Sequence, residues 1–528
     1  MLPVNGVRVY LALGATDMRK SIDGLSILVS RQMQLDPFAG HLFGFCNRSR
    51  TIIKLLYWDR NGFCLWHKRL ERHVFRWPTR AAEVLAIDSR QLIWLLDGLD
   101  PLAVKGHSRL EIVHDLPESE KVCPCGAVLV RIGEEVSEKL DIVPAKIQVI
   151  RHIRPKYACR ACEGVEGDGP TVKTAPMPPQ IIPQGIVTPG LLAHVAVAKY
   201  ADALPLYRQE DQFARLGLDV SRGTLAGWMI RVAKACEPLI AMIIEEIRSG
   251  PIVNMDETTV QVMHEPDRAN TTKSYMWVAR GGTPGTPVVL FRYHPTRAGS
   301  VAAEILGNFQ GYLQTDGYSG YEALGDREGL CHLGCLAHVR RKFVEVEKAA
   351  GKKAKGGTAH AVLDLIGKLY SVEHQAEKQR LDPEQIKALR AEKSRPILDK
   401  LKALLDARIA TTPPKSLLGR AISYALKQWD RLVVYLEDGR LRPDNNLAEN
   451  AIRPFAVGRK NWLFSGHPRG ADASATLYSL IETAKANDLE PYRYLRHLFE
   501  HLPAATSDAQ RKALLPPYIA PKSLIIPT

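Results

Sequence analysis

Asp256, Asp316 and Glu449 have the residue types and spacing for metal-dependent chemistry on phosphate. Asp256 stands in PIVNMDETTVQVM, which reads as a strand. SYMWVARGG and PVVLFRYHPTRAG read as two more strands, followed by a helix from about Ser300 to Asn308. GYLQTDGYSGY then gives a short strand that sets Asp316 ahead of a glycine-rich turn. Three strands, a helix and a fourth strand match the opening of a ribonuclease-H-like fold, in which carboxylates on the first and fourth strands lie side by side. Oxygen ligands suit Mg²⁺. Two such ions about 3.5–4 Å apart can activate a water or a 3′-hydroxyl and stabilise the leaving oxygen in phosphoryl transfer.

A third carboxylate is expected from a later helix, and RPDNNLAENAIRPFAVGRKNWLFSGHPRG offers Asp444 and Glu449. Glu449 is preferred because it falls inside the predicted helix, whereas Asp444 suits the N-terminal turn or cap. Arg453, Arg459 and Lys460 follow and could grip phosphate. Glu257 should point to the opposite side of the strand from Asp256 and is not counted. Taken singly, each acid is more often a solvated surface group; the strand order gives them weight together.

Two further clusters could hold metal. Cys123 and Cys125 in VCPCGAVL stand 33 residues from Cys159 and Cys162 in YACRACE, a pairing that suits a four-thiolate structural zinc ribbon. The C-x-C pair is tighter than the usual C-x-x-C, and reduced, unliganded cysteines are the alternative. In CLAHVRRKF, His338 follows Cys335 by three residues on a predicted helix; packing against the sheet is preferred there over a metal pair. Cys46, Cys64, Cys236 and Cys331 read as core residues.

The elements that position these groups come from a chain of 528 residues, which points to several domains. Hydrophobic residues make up 45% and charged residues 24%, ordinary for a globular protein and unlike a fibrous or disordered one. The sequence contains neither an apolar run of bilayer length nor a leader pattern, so the reading is cytoplasmic with no membrane partner. The formal charge of +14 favours a polyanionic partner, most often nucleic acid.

Residues 1–98 form a small α+β block. Within it, TIIKLLYW and FCLWHKRL read as strands joined through Asp59-Arg60-Asn61-Gly62, a hairpin signal. DMRKSIDGLSILVSRQM has helical spacing, with Ile22, Leu25, Leu28 and Val29 on one face. Residues 41–77 carry eight Lys or Arg, two acids and eight aromatics; they could bind DNA or form a half-buried sheet with a solvated basic face. Residues 99–122 read as a linker, 123–165 as the ribbon and 166–248 as a Pro-rich linker leading into helices. In that last segment LYRQEDQFARLGLDVSRGTLAGWMIRVAKAC reads as a helix-turn-helix, with Gly217 at the turn, Ser221 as cap, and Arg222, Thr224 and Arg231 able to face DNA. Residues 249–345 and 441–490 form the catalytic core, 346–440 a helical insertion and 491–528 a tail. The expected class is multidomain α+β and α/β.

Together these motifs resemble the DDE transposases of the insertion-sequence 66 family, over residues from about 108 to 520. The marks are EIVHDLPESEKVCPCG, LYRQEDQFARLG, MDET, QTDGYSGY, CLAHVRRKF and NNLAENAIRPFAVGRKNWLFSG. The resemblance implies a catalytic triad carried onto Asp256, Asp316 and Glu449, with Mg²⁺ as cofactor and Zn²⁺ as structural metal. It implies binding of double-stranded DNA at terminal inverted repeats, 3′-end cleavage and transfer to target DNA. A homo-oligomer on DNA and other element-encoded proteins are the implied partners. DMRKSIDGL and LLYWDRNGFCLWHKRLE are similar to the small accessory protein (TnpB) of the same elements, so the chain reads as a fusion. The family usually carries a long coiled-coil-like segment ahead of the ribbon, and no sustained heptads occur between residues 80 and 122. A catalytically silent fusion that occupies element ends and represses transposition is therefore the alternative, and a nuclease without strand transfer is a third reading.

Overall fold

A computed structural model describes residues 7–78, 84–98, 100, 113, 115–117, 120–121, 124, 127–129, 145–158, 172–351 and 356–524. Cys123, Cys125, Cys159 and Cys162, the ribbon ligands expected above, lie outside the described residues. The chain divides into two compact units, Met1–Pro144 and Ala145–Thr528.

The first unit is a five-stranded sheet covered on both faces. Its elements are β1 (Val9–Ala12), α1 (Ile22–Arg31), β2 (Leu42–Cys46), β3 (Ile52–Asp59), β4 (Gly62–Arg69), β5 (Val84–Ile87) and α2 (Ser89–Leu96), with strand order β4-β3-β2-β1-β5. Strands β1 and β2 are parallel, which requires the crossover that α1 supplies. Alternation along β2 divides the core. Phe43 and Phe45 pack with Leu25 and Val29 of α1. Leu42 and Cys46 pack with Leu92 and Leu95 of α2. Gly44 lies between them because a Cβ there would come 2.7 Å from Leu11 and 3.3 Å from the Trp77 ring.

The expected hairpin forms one residue earlier than Asn-Gly would place it. Asp59 pairs with Gly62, so the two loop residues are Arg60 and Asn61, and Arg60 takes the positive φ of 51°. Phe43, Phe45, Phe75 and Trp77 are buried, so half of the aromatics in residues 41–77 are core and not free to stack on bases.

The second unit opens with a short hairpin, β6 (Lys156–Ala158) and β7 (Val172–Thr174), and four helices: α3 (Pro189–Tyr200), α4 (Leu206–Arg215), α5 (Arg222–Ala235) and α6 (Glu237–Ser249). Gly217, at φ 81°, turns the chain between α4 and α5, and the Ser221 hydroxyl caps α5 by accepting from Thr224 N at 3.2 Å.

The main sheet follows: β8 (Ile252–Val262), β9 (Lys273–Gly281), β10 (Val288–His294), α7 (Gly299–Leu306), β11 (Gly311–Gln314) and β12 (Leu330–Leu333). The strand order is β10-β9-β8-β11-β12, with β9 antiparallel to β8 and to β10, β11 parallel to β8, and β12 parallel to β11. A helical subdomain interrupts the chain: α8 (Leu336–Ala350), α9 (Thr358–Gln379), α10 (Pro383–Leu389), α11 (Arg395–Ile409), α12 (Leu417–Lys427) and α13 (Trp429–Val433). It has its own core, including Phe343, Val362, Ile366, Leu401, Leu405 and Ile422.

The chain returns through α14 (Asn446–Trp462), the short β13 (Phe464–Ser465) beside the far end of β8, then α15 (Pro468–Ala486), α16 (Pro491–His501) and α17 (Asp508–Lys512). Helix α15 covers the open edge of β10. Ser479 Oγ accepts from Phe291 N at 2.7 Å, and Thr483 Oγ1 accepts from Val289 N at 2.9 Å. An edge that would otherwise pair with a stranger is thus satisfied by side chains. Among the described residues no helix is long and apolar enough to cross a membrane.

Candidate active site

Asp256 sits near the middle of β8, and Asp316 is the second residue after the end of β11. The register relates them. Gln314 pairs with Asn254 in the parallel β11–β8 ladder, so Asp316 and Asp256 each lie two residues beyond a paired position. A shift of two keeps both side chains on the same face of the sheet. Glu449 comes from the first turn of α14, which packs against β8 and β9.

Buried amides hold these elements together. Asn254 Nδ2 donates to Gln314 Oε1 at 2.9 Å and to Asn445 Oδ1 at 3.1 Å. Asn445 Nδ2 donates to Met255 O at 2.8 Å, and Gln314 Nε2 donates to Arg442 O at 2.7 Å. All three amide side chains are buried. Asp444 takes the local role expected of it: buried, with Oδ1 accepting from Asn446 N at 3.2 Å at the start of α14.

The electrostatics at Asp256 report the crowding. Burial first, then the negative charges of Glu257, Asp316 and Glu449, push its carboxyl up to about 7, against a single opposing hydrogen bond from Glu257 N at 2.9 Å. Carboxylate oxygens are the donors a hard divalent cation takes, but among the described residues the potential ligand atoms that lie within 4.8 Å of one another belong to Cys335, His338 and Glu449, not to the three acids together. Glu449 Oε1, buried and without a hydrogen-bond partner, adds an unsatisfied acceptor.

Glu257 points away from this group. Its buried carboxylate accepts from Arg297, with Nε at 2.7 Å, and from the Tyr321 hydroxyl. The Arg297 guanidinium stacks 3.6 Å from the Tyr318 ring centroid, and Tyr318 N donates to Asp316 Oδ1 at 2.9 Å. Glu257 therefore braces the loop that carries Asp316. That loop needs Gly317, where a Cβ would lie 2.5 Å from the Tyr424 hydroxyl of α12.

The remaining expected site residues are scattered. Arg453 and Lys460 are exposed on α14, and Arg222, Thr224 and Arg231 are exposed on α5. Arg459 is half-buried, and its Nη1 donates to Thr258 Oγ1 at 2.7 Å and to Thr259 O, tying α14 to β8. Sequence reasoning passed over Asn254, Gln314, Asn445, Arg297 and Arg341. Gln314 and Asn445 lie in polar clusters around the acids, QTDGYSGY and RPDNNLAEN, which signal them; Asn254, Arg297 and Arg341 stand outside those clusters.

Comparison with known proteins gives four matches along the chain. Residues 184–473 match the family model described as Transposase IS66 family, and residues 479–516 match the IS66 C-terminal element. Residues 120–163, which contain all four ribbon cysteines, match the zinc-finger binding domain of transposase IS66. Residues 7–106 match IS66 Orf2 like protein.

Three proteins of Sinorhizobium fredii (strain NBRC 101917 / NGR234) are similar. Uncharacterized protein y4jD is 37% identical over 76% of this chain and 78% of its own length. Uncharacterized protein y4qI is 36% identical over 78% and 76%. Uncharacterized protein y4hO is 42% identical over 101 residues, which is 19% of this chain and 88% of that protein. With more than half its length inside one family model, this chain belongs to the transposase IS66 family and carries the family's Orf2-like accessory domain ahead of the zinc-finger and transposase segments.

Proposed function

We propose that the chain is a DDE transposase that binds the terminal inverted repeats of an insertion sequence, hydrolyses the 3′ ends and joins them to target DNA. The observation that carries this reading is the register of the parallel β11–β8 pair, which sets Asp256 on β8 and Asp316 just past β11 each two residues beyond the Asn254–Gln314 pair, with the Glu449 charge acting on Asp256. The strand order β10-β9-β8-β11-β12, with only the second strand in sequence antiparallel to its neighbours, supports a ribonuclease-H-like core.

Asp256, Asp316 and Glu449 would hold Mg²⁺, whose chemistry is to stabilise charge building on phosphate oxygens and to lower the pKa of a bound water or 3′-hydroxyl. The protein's own part is positioning. The buried amides fix the spacing of the carboxylates, and Arg297 with Tyr318 fixes the Asp316 loop. Arg453 and Lys460 would neutralise phosphates beside the site, and Arg222, Thr224 and Arg231 would meet DNA from a helix-turn-helix formed by α4 and α5. Cys123, Cys125, Cys159 and Cys162 would hold structural Zn²⁺.

The test is a nicking assay with a labelled duplex carrying the element's own terminal repeat and Mg²⁺ or Mn²⁺. Specific 3′-end nicking by the parent and none by Asp316→Asn, with end binding kept by both, is the expected result. Parallel loss of binding and cleavage in the variant would make Asp316 structural instead.

A further inference from the structure

Helix α8 turns one face toward Glu449. Cys335 caps the start of that helix and His338 follows three residues later, so both side chains lie over the same turn. Cys335 Sγ, a His338 ring nitrogen and a Glu449 oxygen all lie within 4.8 Å of one another. Two of these atoms are unsatisfied. His338 Nδ1 and Glu449 Oε1 are buried without a hydrogen-bond partner, and they face each other across 3.6 Å, too far for a hydrogen bond. Buried polar atoms are rarely left this way, so an orphaned pair needs a physical reason.

We propose that Cys335, His338 and Glu449 form a binding site for a borderline-soft divalent cation, of the Zn²⁺ or Co²⁺ class, sharing Glu449 with the carboxylate group of Asp256 and Asp316. The donor set decides the class. A thiolate and an imidazole favour Zn²⁺ and Co²⁺ over Mg²⁺, which takes oxygen. Three protein ligands leave a fourth position open, as in zinc sites that exchange water or substrate oxygen. The site is distinct from the four cysteines at residues 123–162, and it does not depend on strand-transfer chemistry.

The surroundings say how the cation would enter. Arg341 Nη1 lies 3.2 Å from His338 Nε2, and Nη2 donates to Glu449 Oε2 at 3.3 Å. A guanidinium only donates, so without a cation His338 keeps its ring proton on Nδ1. Arg341 thus supplies the positive charge beside Glu449, and its side chain is more than half exposed. On binding, the Cys335 thiol gives its proton to solvent and the imidazole proton moves from Nδ1 to Nε2. The guanidinium then turns outward, since Nε2 no longer accepts. Cys335 Sγ already accepts from Asn445 N at 3.2 Å, a bond suited to a thiolate.

The experiment uses the full chain, stripped of metal with a chelator and titrated with Co²⁺ alone. Bound Co²⁺ and the sulfur-to-cobalt absorption band are read for the parent, Cys335→Ser and His338→Gln. The parent should hold about one more Co²⁺ per chain than either variant, with a stronger thiolate band than Cys335→Ser. Equal Co²⁺ content and equal spectra in all three would overturn the site. If either core variant fails to fold, Arg341→Gln decides, because that side chain is exposed. Removing a competing positive charge should tighten Co²⁺ binding about tenfold; unchanged or weaker binding would count against the site. Nicking is measured separately. Nicking by a parent that lacks the extra Co²⁺ would remove this site and leave the transposase reading standing, while extra Co²⁺ without nicking would do the reverse.

Discussion

Asn254 and Asn445 meet side chain to side chain at 3.1 Å although 191 positions separate them in the chain. One stands on β8 two residues before Asp256, the other four residues before Glu449 on the turn into α14. Their contact closes the helical subdomain back onto the sheet and sets Glu449 where its charge acts on Asp256.

Asn445→Ala should therefore cost both stability and chemistry. It strands Met255 O and one proton of Asn254 Nδ2 in the interior, at roughly 1–3 kcal/mol for each unsatisfied group. Chemical denaturation should show the lower midpoint, and nicking should fall at least tenfold, with end binding close to that of the parent. Unaltered nicking would mean that packing alone sets the position of Glu449.

Asp256 gives a pH dependence. Its carboxyl is raised from 3.8 to about 7, so the folded chain holds the proton more tightly than the unfolded chain. The stability from this group is complete below about pH 4 and is lost as pH rises through about 7. In the presence of chelator, Asp256→Asn should be more stable than the parent at pH 8, by roughly 1–3 kcal/mol, and equal to it near pH 4. Mn²⁺ should raise the parent's melting temperature at pH 8, far less at pH 5.5, and not in the variant. Melting curves across that grid check all three expectations.

Arg390 anchors the helical subdomain. It is 2% exposed, pairs with Glu373 at 2.6 Å and donates to the carbonyls of Tyr435, Asp438 and Leu441 at 2.8, 3.0 and 2.8 Å. Those carbonyls line the segment that leads into α14. Arg390→Met leaves a partly buried carboxylate and three carbonyls without their donor, and should cost about 3–5 kcal/mol. Glu373→Gln keeps an acceptor and should cost less. Urea midpoints of the two variants give the comparison.

Two arginines six residues apart should behave differently. Arg453 is exposed, so Arg453→Ala should weaken DNA binding about evenly across sequences, lower the salt slope by about one unit and leave stability within about 0.5 kcal/mol. Arg459 bonds Thr258 and Thr259, so Arg459→Ala should lower the melting temperature by several degrees. Salt-dependent binding isotherms and thermal melts separate the roles.

The local elements follow from residues that are neighbours in the chain. Alternation in PIVNMDETTVQVM gives β8 and opposes Asp256 to Glu257; the spacing of Leu25 and Val29 gives α1; Gly217 and Ser221 mark the turn and cap of α5. These features follow from backbone period and short-range hydrogen bonds, so neighbouring residues carry them. The motifs around the three acids were legible for the same reason and were enough to identify the family.

Tertiary structure decided what depends on long-range contact. Nothing near Arg459 in the chain shows that two threonines on β8 engage its guanidinium. The shift of the β3–β4 turn to Arg60 and Asn61 follows from strand register, which cross-strand packing fixes and the Asn-Gly signal alone does not. Placing Asp316 level with Asp256, facing His338 toward Glu449 and joining Asn254 to Asn445 all require segments tens to hundreds of residues apart to fold onto one sheet.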